Sequence, residues 1–332
     1  MIVNPLRDAA WTGPPPPPDV LDFHRSLPGY APTRLAGLPS LARTLGVARL
    51  LAKDESNRLG LPAFKALGAS WAVHRAVAGR PPTTLVTATD GNHGRAVARF
   101  ARRAGHRAAI FVPDTVPAAA ADAIRAEGAA VFAVTGNYDA AVHAAARFAR
   151  PPDAVLVQDT AWPGYEEVPG WIVDGYSTLF AELDAQLPAP PDLLIVPAGV
   201  GSLLQAALTH YRRSPAPART AIVSVEPATA ACVRASVAAG RPTTVETAGT
   251  ALAGLNCGTV SSLAWPHIAA GLDACTVVDD EEALAAEGID AGPCGAAPLA
   301  ALRRPDFPLP LTPTTTAVLL ITEGAEANPA HR

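Results

Sequence analysis

The sequence predicts an α/β protein built on mostly parallel sheets. From residue 48 onward, β-type runs alternate with helical patterns. Several of the runs are continuously apolar, such as Leu193-Leu194-Ile195-Val196, which suits strands covered on both faces. A chain of 332 residues is also long enough to bury a large core, in one large domain or two smaller ones.

Residues 13–19 contain five consecutive prolines and are expected to be extended polyproline II within an N-terminal arm, residues 1–20. Folded structure is expected to begin near residues 21–30. Strands are expected over 49–52, 84–88, 108–112, 130–134 and 154–157, then over 193–196, 221–225, 275–278 and 316–321. Helical patterns fill most of the gaps, among them 94–104, 118–127, 140–149 and 202–212. A further helical run opens at Lys65 and continues through Trp71, Val73, His74 and Val77. No internal repeat is visible.

Net charge is −4 and the isoelectric point is near 6.1, which removes any electrostatic case for nucleic acid or for acidic membranes as partners. No apolar run approaches the ~20 residues needed to span a bilayer. Residues 1–11 lack the basic start and apolar stretch of a secretory signal, so the cytoplasm is the expected location. Cys232, Cys257, Cys275 and Cys294 show no metal-finger spacing and read as buried, reduced thiols. No metal cluster is expected. The chain is rich in Ala, Pro and Arg, and its only lysines are Lys53 and Lys65.

That scarcity sharpens the search for chemistry. Lys65 follows a turn-rich polar stretch and opens an apolar helix, with Phe64 beside it. Such surroundings can desolvate an amine so that it is neutral enough to form a Schiff base. Lys53 reads instead as a charged residue at a strand end. Downstream, Gly199-Val200-Gly201-Ser202-Leu203 follows an apolar strand and precedes a helical pattern. Backbone amides in such a turn, with the helix N-terminus, bind a phosphate dianion, and the Ser202 hydroxyl can add to them. Asp90-Gly91-Asn92-His93-Gly94 likewise joins a strand to a helix. A Schiff-base lysine and a phosphate cradle are what pyridoxal 5'-phosphate requires.

Eight segments occur together: KDES-R-GL-AFK (53–65), TDGNHGR (89–95), NYD (137–139), VQDTAW-GY (157–165), AGVGSL (198–203), VEP (225–227), AGL-CG (253–258) and TEG (322–324). In this order they resemble the tryptophan-synthase-β-like, fold-type II pyridoxal-phosphate enzymes, and among these most resemble diaminopropionate ammonia-lyase. The resemblance implies two open, twisted, mostly parallel sheets flanked by helices, with the cofactor between a large and a small domain. The small αβ domain would be residues 82–163, and the large one 21–81 with 164–332. Lys65 is implied as the Schiff-base lysine and Asn92 as the partner of the cofactor's 3′-oxygen. The surrounding amides and the Thr89 hydroxyl would receive the substrate carboxylate. The substrate-facing set is thus Thr89, Asp90, Gly91, His93 and Asp159, with the His93 ring itself read as structural.

Asp90 marks the closer likeness, because dehydratases and cysteine synthases of this fold carry Ser or Thr there. Asp159 matches the second family acid; a turn-making acid at a strand end is the alternative. Two carboxylates suit a substrate with two amino groups. One can remove or relay the Cα proton and the other can pair with a β-ammonium. Thr322 is the hydroxyl placed for the pyridine nitrogen, although relatives often carry Ser where Ile321 stands. Pro293-Cys294-Gly295 replaces a family Glu-Ser-Gly, and Ala325 stands where an Asp is frequent.

The implied reaction is α,β-elimination of 2,3-diaminopropionate to pyruvate and ammonia, with Lys65 or Asp90 taking the Cα proton. A homodimer acting on a small amino-acid substrate is the expected form. Three alternatives stay open. One is a serine/threonine dehydratase, and another is a β-replacement synthase in a specialised pathway. The third is a non-catalytic ligand-binding or regulatory protein on the same fold.

Overall fold

A computed structural model describes residues 1–213 and 220–327. Eleven strands are present among them: β1 (Ile2–Val3), β2 (Leu35–Gly37), β3 (Arg49–Asp54), β4 (Thr84–Ala88), β5 (Arg107–Pro113), β6 (Ala130–Val134), β7 (Ala154–Leu156), β8 (Leu193–Pro197), β9 (Ala221–Pro227), β10 (Ala274–Val278) and β11 (Thr316–Ile321). A seven-stranded sheet runs β1-β10-β9-β8-β11-β3-β2, and a four-stranded sheet runs β6-β5-β4-β7. The smaller sheet is wholly parallel. In the larger one only the edge pairs β1–β10 and β2–β3 are antiparallel.

The continuous apolar runs behave as expected. All five residues of β8 are buried, with β11 and β9 on either side. Two additions precede the expected elements. β2 lies outside the strands expected from sequence, and folded structure begins at Ile2 rather than near residues 21–30. Ile2 and Val3 extend the large sheet through β10. The Asn4 side chain donates to the carbonyls of Ala269 and Leu272 at 3.0 and 2.8 Å, satisfying the open end of the helix Trp265–Gly271. Trp11 packs edge-on against His267, and Gly13 donates its N–H to the Arg212 carbonyl. These anchors are single side chains and a two-residue strand, so they leave no periodic signal.

Two packing features position the site. The helix Lys65–Val77 lies against the helix Glu167–Gln186 through Gly68 and Gly175. The loop before Lys65 is tied to the segment after β11: Phe64 N–H donates to the Thr322 carbonyl at 3.1 Å, and Gly324 N–H to that of Pro62 at 3.0 Å. Beneath this loop, Arg58 pairs with Glu55 and Glu182 at 2.6 Å each, and Lys53 with Glu182 at 2.7 Å. All four side chains are almost fully buried, so the loop is pinned by a charge network that needs every partner. No helix among the described residues is long and apolar enough to cross a membrane.

Candidate active site

One cavity of about 270 Å³ draws its wall from every residue assigned to the site from sequence. Lys65 enters it from the first position of its helix, with Nζ 5.3 Å from the Phe64 ring centre. Its Nζ lies 2.6 Å from Asp159 Oδ2. Burial favours the neutral amine, but the Asp159 charge outweighs it and holds the ammonium above the ordinary lysine range. The desolvation expected at Lys65 is therefore present and is overcome by a partner that sequence did not show.

Asp159 follows β7 and is held on both oxygens. Tyr138 Oη and Gln158 Nε2 donate to Oδ1 at 3.0 and 3.1 Å, while Lys65 donates to Oδ2. Burial works toward protonation, yet the charge and hydrogen bond of Lys65, with Tyr138, keep the carboxylate well below its usual range. Asp159 is thus an anion paired with the Lys65 ammonium. Asp90 is different. Burial and the neighbouring Asp159 charge push its carboxyl up to about 7, with Lys65 opposing. In one cavity, then, Lys65 holds one carboxylate charged while burial lifts the other to about 7.

The turn after β4 is built around Thr89. Its hydroxyl oxygen accepts from Gly91 N–H at 2.9 Å and Gly94 N–H at 3.1 Å, which leaves the hydroxyl proton for another acceptor. Gly94 is required sterically, since a β-carbon there would stand 2.3 Å from Thr89 Cγ2. His93 Nε2 bonds the Val157 carbonyl at 2.8 Å, so the ring is anchored through that nitrogen and Nδ1 is the acceptor. Burial lowers its basicity, and it is a neutral part of the wall.

In the glycine loop, Gly201 has φ +96° and ends the turn into the helix Ser202–Tyr211. Its glycine is demanded by that left-handed backbone and by Ile268, whose Cδ1 would meet a β-carbon at 2.8 Å. The Ser202 hydroxyl, expected to face a phosphate, donates instead to the Asp159 carbonyl at 2.8 Å and couples the loop to the segment after β7. Amides of the first helical turn have no intrahelical acceptor and remain for an anion.

The sequence profile of the family described as pyridoxal-phosphate dependent enzyme matches residues 27–323. The chain belongs to that family. Diaminopropionate ammonia-lyase of Salmonella typhimurium is 38% identical over 300 residues, covering 82% of this chain and 74% of the relative. L-threonine dehydratase of Mycobacterium leprae is 30% identical over 325 residues, covering 93% and 73%. Among solved structures, Escherichia coli diaminopropionate ammonia lyase in complex with an aminoacrylate-PLP azomethine reaction intermediate superposes with a TM-score of 0.91 at 30% identity. That match covers 100% of this chain and 95% of the other. This pyridoxal-phosphate enzyme is of fold-type II, with the two mostly parallel sheets expected from sequence.

The cavity of this family member fits the cofactor. Thr322 Oγ1 is buried on its wall without a hydrogen-bond partner, as a hydroxyl awaiting a ring nitrogen would be. Gly199 lies so close to Cys257 Sγ and the Gly254 carbonyl that a β-carbon would sit 3.0 and 3.3 Å from them. Tyr138, Gln158 and Glu323 lie within the NYD, VQDTAW-GY and TEG segments, but their roles rest on contacts that no local pattern shows. Glu323 accepts from Asn92 Nδ2 at 2.7 Å and from Cys294 N–H at 3.2 Å. Lys53, the other lysine, lies in the buried ion-pair network.

Proposed function

We propose that the protein catalyses α,β-elimination of ammonia from 2,3-diaminopropionate, yielding pyruvate and a second ammonia. The supporting observation is a pair of carboxylates in the cavity that holds Lys65: Asp159, hydrogen-bonded by Tyr138, Gln158 and Lys65, and Asp90, lifted by burial to about 7. Similarity to the Salmonella diaminopropionate ammonia-lyase points the same way. Bound pyridoxal phosphate supplies an electron sink for the pair left when the Cα proton departs.

This chain's residues do the rest. Lys65, which lines the cavity with the others, would carry the cofactor, Asn92 would meet its 3′-oxygen, amides of 199–203 would hold the phosphate and Thr322 would face the ring nitrogen. Thr89, through its hydroxyl proton, with the His93 amide at a helix start, receives the substrate carboxylate, while the Gly91 amide is taken up by Thr89 Oγ1. Asp159 pairs with the β-ammonium. Asp90 or Lys65 takes the Cα proton, and a group titrating near working pH is suited to that task. Bases at two positions allow L and D substrates to be used. The β-amine leaves as ammonia, and released 2-aminoacrylate hydrolyses to pyruvate and ammonia.

Residues 82–163 form the smaller domain in this reading, since β4 to β7 all fall within them. A cytoplasmic homodimer belongs to the same proposal, and sedimentation of the holoenzyme tests the assembly. The decisive experiment incubates purified protein with a panel of amino acids and scores pyruvate, other 2-oxo acids and ammonia. Fast turnover of serine or threonine with none of diaminopropionate would favour the dehydratase reading, which the Mycobacterium relative supports.

A further inference from the structure

Glu323 is 4% exposed, and its carboxylate joins three segments far apart in sequence. Oε2 accepts from the Asn92 carboxamide at 2.7 Å, across 231 residues. Oε1 accepts from Cys294 N–H at 3.2 Å, at the start of the helix Pro293–Arg303. Pro293 has no N–H, so Cys294 offers the first free amide of that helix.

The side chain is also boxed in. A β-carbon on Gly292 would stand 2.9 Å from Glu323 Oε1, and one on Gly295 would stand 2.7 Å from the Glu323 carbonyl. Gly292 N–H donates to that same carbonyl at 3.0 Å. Glycines thus let the helix start close on Glu323 and leave it no room to swing. The Asn92 amide turns its NH₂ end toward Glu323, donating to Oε2. Asn92 then has a second N–H on the same nitrogen and a carbonyl pointing the other way.

We propose that Glu323 is a positioning residue: it fixes the Asn92 carboxamide so that its NH₂ group serves both Glu323 and the cofactor's 3′-oxygen. This rests on the reading that Asn92 meets the cofactor. Cys294 meets Glu323 through both its backbone N–H and its thiol.

A double-mutant cycle on the holoenzyme tests it, read by the absorbance of the bound cofactor and by cofactor affinity. Glu323→Gln retains shape but has one acceptor oxygen for two donors, so one hydrogen bond is lost. It should shift the absorbance and weaken cofactor binding by about 10-fold. In an Asn92→Ala background the same change should cost less than about 2-fold, because the two residues act as one unit. Equal effects in both backgrounds would overturn the proposal. So would a lower melting temperature with unchanged absorbance and affinity, which would leave Glu323 as a helix cap alone. If Glu323→Gln does not fold, Glu323→Asp enters the same cycle, keeping both oxygens with a shorter reach; non-additivity with Asn92→Ala is again expected. An Asn92→Ala enzyme with wild-type absorbance and affinity would remove the Asn92 assignment and this proposal together. None of these readings depends on which amino acid is turned over, so failure of the diaminopropionate assignment is seen separately.

Discussion

Gly175 and Gly68 bring two helices into backbone contact: a β-carbon on Gly175 would lie 2.6 Å from the Leu67 carbonyl oxygen and 2.8 Å from Gly68 Cα. The helix that carries Lys65 is set in place by this crossing. Gly175→Ala should force the helices apart and cost about 1–3 kcal/mol, as overpacking of a tight interior does. The melting temperature should fall, and the Lys65 amine should move relative to Asp159, so specific activity should fall as well. An alanine variant with wild-type melting and turnover would show that the helices separate freely.

The two lysines should fail in different ways. Borohydride reduction of the holoenzyme should attach the cofactor to the peptide containing Lys65, and Lys65→Ala should lose that label. Lys53→Ala should leave Glu182 short of a buried partner and destabilise the fold by about 3–5 kcal/mol. Peptide mapping and thermal unfolding separate the outcomes. Label on the Lys53 peptide would reverse the assignment.

The two aspartates should also separate. A positioned acid or base contributes ~100- to 10,000-fold to rate, and Asp90→Asn should reduce diaminopropionate elimination within that range. A base must be deprotonated to act, so wild-type activity should rise as pH passes upward through about 7, the value to which burial and Asp159 lift Asp90. The rise should vanish in Asp90→Asn. Asp159→Asn should weaken β-ammonium recognition and raise relative activity on serine, which has no second charge. Identical substrate preference in both variants would remove the division of labour.

His24 makes acid stability testable. It is fully buried, with Nδ1 2.7 Å from Thr178 Oγ1 and Nε2 3.0 Å from the Leu67 carbonyl. Burial holds its basicity down to about 4, the Leu67 bond opposing and Arg58 assisting. The folded value lies below the unfolded one of 6.5, so the unfolded chain binds the proton first as pH falls. The stability contribution is complete above pH 6.5 and is lost between there and about 4, up to about 3 kcal/mol. Urea midpoints across this window should decline less for His24→Gln than for wild type. Parallel curves would exclude His24 as the source.

Much of the fold was legible because β3 to β11 announce themselves locally. A strand buried on both faces must be apolar throughout, as β8 is, and the helices between strands carry their own period. β1 and β2 escaped because they are two and three residues long and sit at antiparallel edges, where pairing partners rather than composition make a strand. The site divides similarly. Lys65 and the two Gly-rich turns stood out because a Schiff base and a phosphate each demand a particular residue or backbone at a local position. The contacts that set their chemistry did not. Asp159 lies 94 residues from the lysine it charges, and Glu323 lies 231 from Asn92. By itself, then, the sequence determined the order of β3 to β11 and the residue types a cofactor needs. Only the tertiary structure decided which charges meet and which titrate, because that depends on how two sheets pack, how deeply each carboxylate is buried, and what lies within hydrogen-bonding distance.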